Sequence, residues 1–253
     1  MLIHNQAGRY SFLLGIDPYS CGVIADDGFE VVHVNLASPL PWRAGMDTVA
    51  AYLESVGEAR RSLCGVELRC PAPYSMDGFI AFNQDYCRVL QAWGLYVDDH
   101  NPLARTNIAP LDSPADMPQQ LVAFSYATPS VNTGQPPTFV VAGAGELVEA
   151  KLDSGGIIRR GETTADALLE KAEFVASVMR QRVEGLGADP SHISQVNVYT
   201  AQPIDSQITE VLLRELPAAA RGGLHWYPSR PPVEEIDFEM DLRGVTRELR
   251  LWG

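Results

Sequence analysis

The stretch NPLARTNIAP, residues 101–110, sets Arg105 among small and apolar neighbours with no acidic residue within four positions on either side. A guanidinium is a planar fork of N–H donors that stays charged and suits a carboxylate in two places at once. Arg105 therefore either lays its stem on the surface with its head in water or meets an anion that is not part of the local chain. Asn107, two residues on, shares the same face of a strand, and a donor there could hold the same anion. Further along, Asp237, Glu239 and Asp241 alternate within EEIDFEMDL, residues 234–242, so a strand would place them on one face. Three carboxylates on one face repel unless one is protonated, paired or hydrated. Burial beside like charge would lift a carboxyl toward the range useful for proton transfer. The alternative is a solvated edge strand guarded by negative charge.

Tyr19 follows a turn in DPYS. Its hydroxyl either contacts substrate or water, or is the wet tip of a core aromatic. Asn83 lies on the polar side of a helix whose other face is aromatic, facing ligand or solvent. His225 in GLHWYPSRPP titrates near neutrality and is an acid–base candidate, or a histidine packed at a strand margin. The five histidines show no metal-ligand spacing, and Cys21, Cys64, Cys70 and Cys87 form no CxxC pair. No catalytic metal is predicted. The Gly-x-Gly of AGAGEL is too short for a dinucleotide fingerprint, and there is no Gly-x-Ser-x-Gly elbow.

These residues need elements to hold them. FEVVHVNLA, residues 29–37, reads as a strand, residues 46–62 as a helix, and CGVELRC, residues 64–70, as a strand closed by a proline turn. A second helix carries Phe79, Phe82, Tyr86, Val89, Leu90 and Trp93 on one face, and two strands follow, ARTNIAP and QLVAFSYA. PSVNTGQPP, residues 129–137, is the best boundary. Beyond it the order repeats: PTFVVAGAGEL as a strand; a long helix with Leu168, Ala172, Val175, Met179, Val183 and Leu186 in register, capped by Thr163 or Thr164 and ended by Gly187; then QVNVYTAQP, the helix SQITEVLLREL, and AAARGGLHWYP and EEIDFEMDL as strands. The prediction is two tandem units, residues 1–128 and 129–253, each β-α-β-α-β-β. Their helices are apolar on one face only, so both pack on one side of a mixed sheet.

The chain has 253 residues, 46% hydrophobic and 20% charged, enough for a real core. Its formal net charge of −13 argues against a nucleic-acid partner, which needs Lys and Arg against phosphates, and against an anionic membrane surface. No run of about 18 apolar residues is present to span a membrane. The N-terminal MLIHNQAGRYSF lacks a leader-like apolar run. The expectation is a cytoplasmic protein with reduced cysteines.

In order and spacing, GIDPYSCGV, FIAFNQDY, LARTNI, HISQVNVYTAQP, AAARGG and EEIDFEMDL resemble the motifs of the RidA (YjgF) reactive-intermediate deaminase family, met twice across nearly the whole chain. The resemblance implies an α+β, chorismate-mutase-like unit in tandem and hydrolysis of an imine or enamine to a ketone and ammonia, without a cofactor. It implies that Arg105 holds a substrate carboxylate at a cleft between adjacent subunits and that a strand acid orients water. It also implies a homo-oligomer, with a trimer favoured. The first copy lacks that acid, since Gln120 cannot act as a base. The second copy departs at the helix asparagine, and its counterpart to the arginine would be Arg221. A division of labour follows: Tyr19, Asn83 and Arg105 from the first copy, Asp237 or Glu239 from the second, joined in a composite cleft between the halves or between chains. The favoured substrate is a small carboxylated imine or enamine of the aminomuconate type. A chorismatase-like hydrolase or lyase and a non-catalytic anion-binding protein are the alternatives.

Overall fold

The computed structural model describes residues 1–114, 116–131, 134–148 and 154–252. Asn132 and Thr133, inside the PSVNTGQPP boundary, lie outside the described residues. The first half runs β1 (Leu2–Asn5), β2 (Tyr10–Leu13), β3 (Gly22–Ala25), β4 (Phe29–Pro41), α1 (Trp42–Ser55), β5 (Leu63–Arg69), α2 (Met76–Ala92), β6 (Ala104–Pro110) and β7 (Gln120–Pro129). The second runs β8 (Phe139–Gly145), α3 (Ala165–Gly185), β9 (Gln195–Thr200), α4 (Ser206–Glu215), the short α5 (Ala219–Gly222), β10 (Leu224–Arg230), β11 (Glu239–Gly244) and β12 (Arg247–Leu251). This is an α+β fold in which one strand–helix order occurs twice.

Local chemistry explains the helix ends. The Ser75 hydroxyl accepts the Gly78 N–H, and Asp77 sits in the first turn of α2, satisfying a free donor and complementing the helix dipole. Asp205 caps α4 by accepting the Ile208 N–H. After α3 the chain turns at Gly187, whose φ of 74° suits a residue without Cβ. The buried stripe of α3 includes Leu168, Ala172, Val175, Met179 and Val183, at the spacing that one apolar face demands.

The twelve strands follow the order β1-β2-β3-β8-β11-β9-β10-β6-β5-β7-β4-β12. The halves exchange strands at both ends. β3 pairs antiparallel with β8, and β12 pairs parallel with β4. In mid-sheet, β10 meets β6 only through Ser229 and Arg230 opposite Pro110 and Ala109. Three cores result. One lies under α1 and α2 (Trp42, Leu53, Tyr86, Phe124) and one under α3 and α4 (Val175, Met179, Leu212, Phe238). The third gathers strand residues of both halves (Tyr10, Phe12, Ala104, Val140, Ala142). No described helix is long and apolar enough to cross a membrane.

Five local expectations change. The first helix spans Trp42–Ser55 instead of 46–62, and Thr164 stands at the start of α3 without a side-chain capping hydrogen bond. The AAARGG segment is helical before it becomes strand, because Gly223 (φ 82°) ends α5 and delays β10 to Leu224. β11 begins at Glu239, so Asp237 precedes the strand. The N–H groups of Asp237 and Phe238 are taken by the Glu146 carboxylate instead of by a neighbouring strand. The C-terminal strand β12 was not predicted.

Candidate active site

β6 places Arg105 and Asn107 on the face turned toward α2, while Thr106 points the other way and donates to Asp241 at 2.6 Å. The Arg105 guanidinium is boxed by aromatic rings: Tyr19 and Tyr86 at 5.0 Å, Phe79 at 5.7 Å and Phe82 at 5.8 Å. The residue is 3% exposed, and its Nη1 has no hydrogen-bond partner among the described residues. A buried guanidinium donor is costly to leave unpaired, and its attraction for an anion is stronger in such a poorly polarisable setting than in water.

Opposite it stand elements of the second half. A cavity of about 70 Å³ is lined by Tyr19, Arg105, Asn107, Gly143, Arg182 and Glu239, with Ile236 and Val233 closing one wall. It adjoins a larger cleft of about 950 Å³ that shares Tyr19, Phe79, Leu147 and Val233 and carries Asn83 on its wall. The cleft thus has a wide, partly apolar mouth and a narrow charged end. Two loops meet beside it, since the Tyr74 N–H donates to the Pro232 carbonyl and the Glu234 N–H to the Tyr74 carbonyl.

The alternating acids have different fates. Glu239 and Asp241 lie on one face of β11, whose other face feeds Met240 and Leu242 into the helix-side core. Asp241 receives three donors: Thr106 at 2.6 Å, Asn197 at 2.7 Å and Tyr199 at 2.9 Å. Burial and Glu67 raise it to about 6, opposed by the Thr106 hydrogen bond, Arg243 and Asn197. Glu239 accepts no hydrogen bond from any described residue and reaches the cavity. Burial, reinforced by Asp241 and Glu146 and opposed by Arg105 and Arg182, pushes its carboxyl up to about 8. At neutral pH it is largely a neutral acid that can give a proton and, having given it, can take one from water. Gly143 makes room for it, because a Cβ there would stand 2.3 Å from Glu239 Oε1.

Asp237 is turned elsewhere. It bonds the fully buried Lys171, which also meets Glu146 at 3.2 Å. This triad holds the chain just before Glu239 and lies outside the cavity lining. Arg221 is exposed on α5 and donates to the Ser191 carbonyl. Strand register explains why it is no counterpart of Arg105. Arg105 lies opposite Val66, whereas Val196, the residue of β9 at the place of Val66 in β5, faces Leu224. His225 is exposed on β10, away from the lining residues.

A model of one protein family, described as 2-aminomuconate deaminase CnbZ, matches residues 2–249. The chain belongs to that family. It is 34% identical over 242 residues to the 2-amino-5-chloromuconate deaminase of Comamonas testosteroni, covering 95% of each chain. Among solved structures, a chorismatase aligns over 92% of this chain and 79% of its own at 11% identity, with a TM-score of 0.47. The YjgF gene product of E. coli aligns over 46% of this chain and 85% of its own at 16% identity, with a TM-score of 0.28.

The structure brings Tyr19, Arg105, Asn107 and Glu239 to one cavity and Asn83 to its mouth; it sets Asp237 and Arg221 apart from them. Sequence reasoning missed Arg182 and Gly143. Arg182 is buried and donates to the Ala142 and Gly143 carbonyls. Its signal was present, since it lies three residues after the core position Met179, on the apolar stripe, where a charge needs a reason. Tyr86 was read only as a packing residue, although its buried hydroxyl has no partner among the described residues and its ring lies against Arg105.

Proposed function

We propose that the chain hydrolyses an enamine dicarboxylate of the 2-aminomuconate type, releasing ammonia. Support comes from the family match, from the relative whose name carries that activity, and above all from one juxtaposition. Arg105, buried with a donor unpartnered among the described residues, shares a cavity with a raised carboxyl from the other half of the chain. Arg105 anchors the carboxylate next to the amine-bearing carbon. Glu239 delivers its proton to the enamine carbon, giving the conjugated iminium ion. The resulting carboxylate removes a proton from water as the water oxygen bonds to the C=N carbon. Glu239 returns that proton to nitrogen; as the C–N bond breaks, its carboxylate takes the hydroxyl proton, so the electron pair on oxygen closes the carbonyl and Glu239 ends protonated as it began. One water is consumed and one ammonia leaves, with no change in oxidation level. Tyr19 and Asn107 are donors for the substrate's oxygens. The imine is already electrophilic, so the chemistry needs no cofactor.

The finer parts of the reading are a cytoplasmic location and a trimer of chains. A solution mass three times that of the chain is expected from light scattering. The decisive experiment is ammonia release from 2-aminomuconate, followed enzymatically. No release by the unmodified chain, or undiminished release by Arg105→Ala and Glu239→Gln, would sink the proposal. Chorismate consumption without ammonia would instead favour the chorismatase alternative.

A further inference from the structure

Asn107 and Gln119 form a chain of oriented amides behind the cavity. Asn107 is 3% exposed and lines the cavity beside Arg105. Its Oδ1 accepts from Gln119 Nε2 at 2.9 Å, and Gln119 Oε1 accepts from the Tyr74 hydroxyl at 2.6 Å. Asn107 Nδ2 is left buried with no partner among the described residues. A carboxamide has a donor end and an acceptor end of nearly equal shape, so whichever end its neighbours consume decides which end it shows. Burial of Tyr74 raises its phenol to about 12, so it stays protonated and can donate. Its ring is stacked on Phe82, 5.8 Å between centroids and 9° between planes, which fixes where the hydroxyl points. Gln119 is further held by its backbone, whose carbonyl accepts the Trp42 N–H.

We infer that Tyr74 and Gln119 are positioning residues. They lock the Asn107 carboxamide with its N–H end toward the cavity, so that a substrate carboxylate is held by one charged and one neutral donor. This rests on the reading of the Arg105 pocket as a carboxylate site. Arg105 and Asn107, two apart on one strand face, stand about 6.6 Å apart at the backbone. The long arginine and the short asparagine can therefore converge on the two oxygens of one anion. The neutral donor also gives selectivity. An ester, or an amide turning its N–H toward Asn107, loses one of the two bonds and leaves a buried donor unpaired.

Gln119→Glu tests this with little change of volume. The ionised carboxylate so introduced still accepts from Tyr74, but it can only accept from Asn107. The asparagine then gives its N–H to that carboxylate and turns its oxygen to the substrate. The probe is 2-oxoadipate, a six-carbon 2-oxo dicarboxylate, titrated calorimetrically into the full chain, with KM and kcat for ammonia release in parallel. The expected result is about a tenfold or greater rise in Kd and KM for Gln119→Glu, with kcat within about threefold. A smaller rise of about two- to fivefold is expected for Tyr74→Phe, which removes only the pinning hydroxyl. Unchanged or tighter binding by Gln119→Glu would overturn the inference, because it would mean that Asn107 already shows its oxygen. So would a loss confined to kcat. Should Gln119→Glu not fold, Tyr74→Phe and Asn107→Leu decide by the same Kd criterion. Failure of the unmodified chain to bind 2-oxoadipate sinks the carboxylate reading itself, a different result from binding that ignores position 119.

Discussion

The two halves share a strand plan and differ in charge at equivalent places. In the first, Arg105 of β6 faces Val66 of β5, and Gln120 of β7 faces Arg69. In the second, Leu224 of β10 faces Val196 of β9, and Glu239 of β11 faces Tyr199. The proline turns after β5 and β9 make Val66 equivalent to Val196 and Arg69 to Tyr199. One half therefore keeps the cation and has a neutral amide where the acid would be. The other keeps the acid and has a leucine where the cation would be. Strand exchange, β3 onto β8 and β12 onto β4, binds the halves so that the retained pieces meet. The cation of the first half and the acid of the second thus line one cavity, while Gln120 and Leu224 carry no charge at the equivalent places.

The largest effect that could break this comparison is expected at Arg105. Arg105→Ala should lower kcat/KM about a thousandfold, the scale of a lost buried charge–anion contact. Arg105→Lys should recover only part, since an ammonium lacks the planar fork. Steady-state ammonia release measures both. A tenth of the original activity in the alanine variant would mean that the anion is held elsewhere.

Glu239→Gln should cost about a hundredfold in kcat, the usual scale for a general acid–base. In the unmodified chain, activity that depends on protonated Glu239 should decline as pH rises through about 8, and the variant should lose that limb. Stability gives an independent sign. The folded state holds a proton on Glu239 up to about 8, whereas the unfolded chain gives it up near the ordinary value of 4.5. Between those values the folded state binds more protons, so stability from this group falls as pH rises across that window. Glu239→Gln should thus unfold at higher denaturant than the parent at pH 8, by about 1–3 kcal/mol, and show little difference at pH 5. A variant that is catalytically dead yet more stable at alkaline pH would separate the acid's function from any structural role.

Much of this was legible in the residues. Arg105 was conspicuous because nothing nearby in sequence could neutralise it. Glu239 was visible through the alternation of EEIDFEMDL. Helical stripes and proline turns marked the repeat. Strand exchange was not legible, since β12 and β3 pair with strands far away in sequence and a period-2 pattern does not name its partner. Nor could spacing tell Asp237 from Glu239. That choice depends on Lys171 and Glu146, which take up Asp237 and the N–H before the strand. Arg221 lies on α5 instead of on a strand because two glycines follow it, and Gly223 shifts the strand start by one helical turn.

A smaller effect is expected from Gly143→Ala. The added methyl meets Glu239 Oε1 at 2.3 Å and the Thr106 backbone at 3.3 Å. The backbone cannot retreat, so the carboxylate must. Its displacement should reduce kcat about tenfold and cost about 1–3 kcal/mol of stability, as overpacking does. Unchanged kinetics would show that Glu239 acts from another rotamer.

The smallest effect, expected at Arg221, sharpens the comparison most. Arg221 is exposed, its guanidinium donates to the Ser191 carbonyl, and it belongs to a single helical turn ahead of β10. An exposed hydrogen bond of this kind contributes little net stability. Arg221→Ala should therefore leave kcat/KM within about twofold and stability within about 0.5 kcal/mol. The same kinetic assay used for Arg105→Ala decides it. If the two halves held equivalent sites, Arg221 would be the second anion anchor and its loss would remove about half the turnover. If the register is right, Leu224 stands in the anchor's place and Arg221 has no anion to hold. A loss beyond tenfold would show that Arg221 serves the working cleft, and the account in which Leu224 stands in the anchor's place would give way.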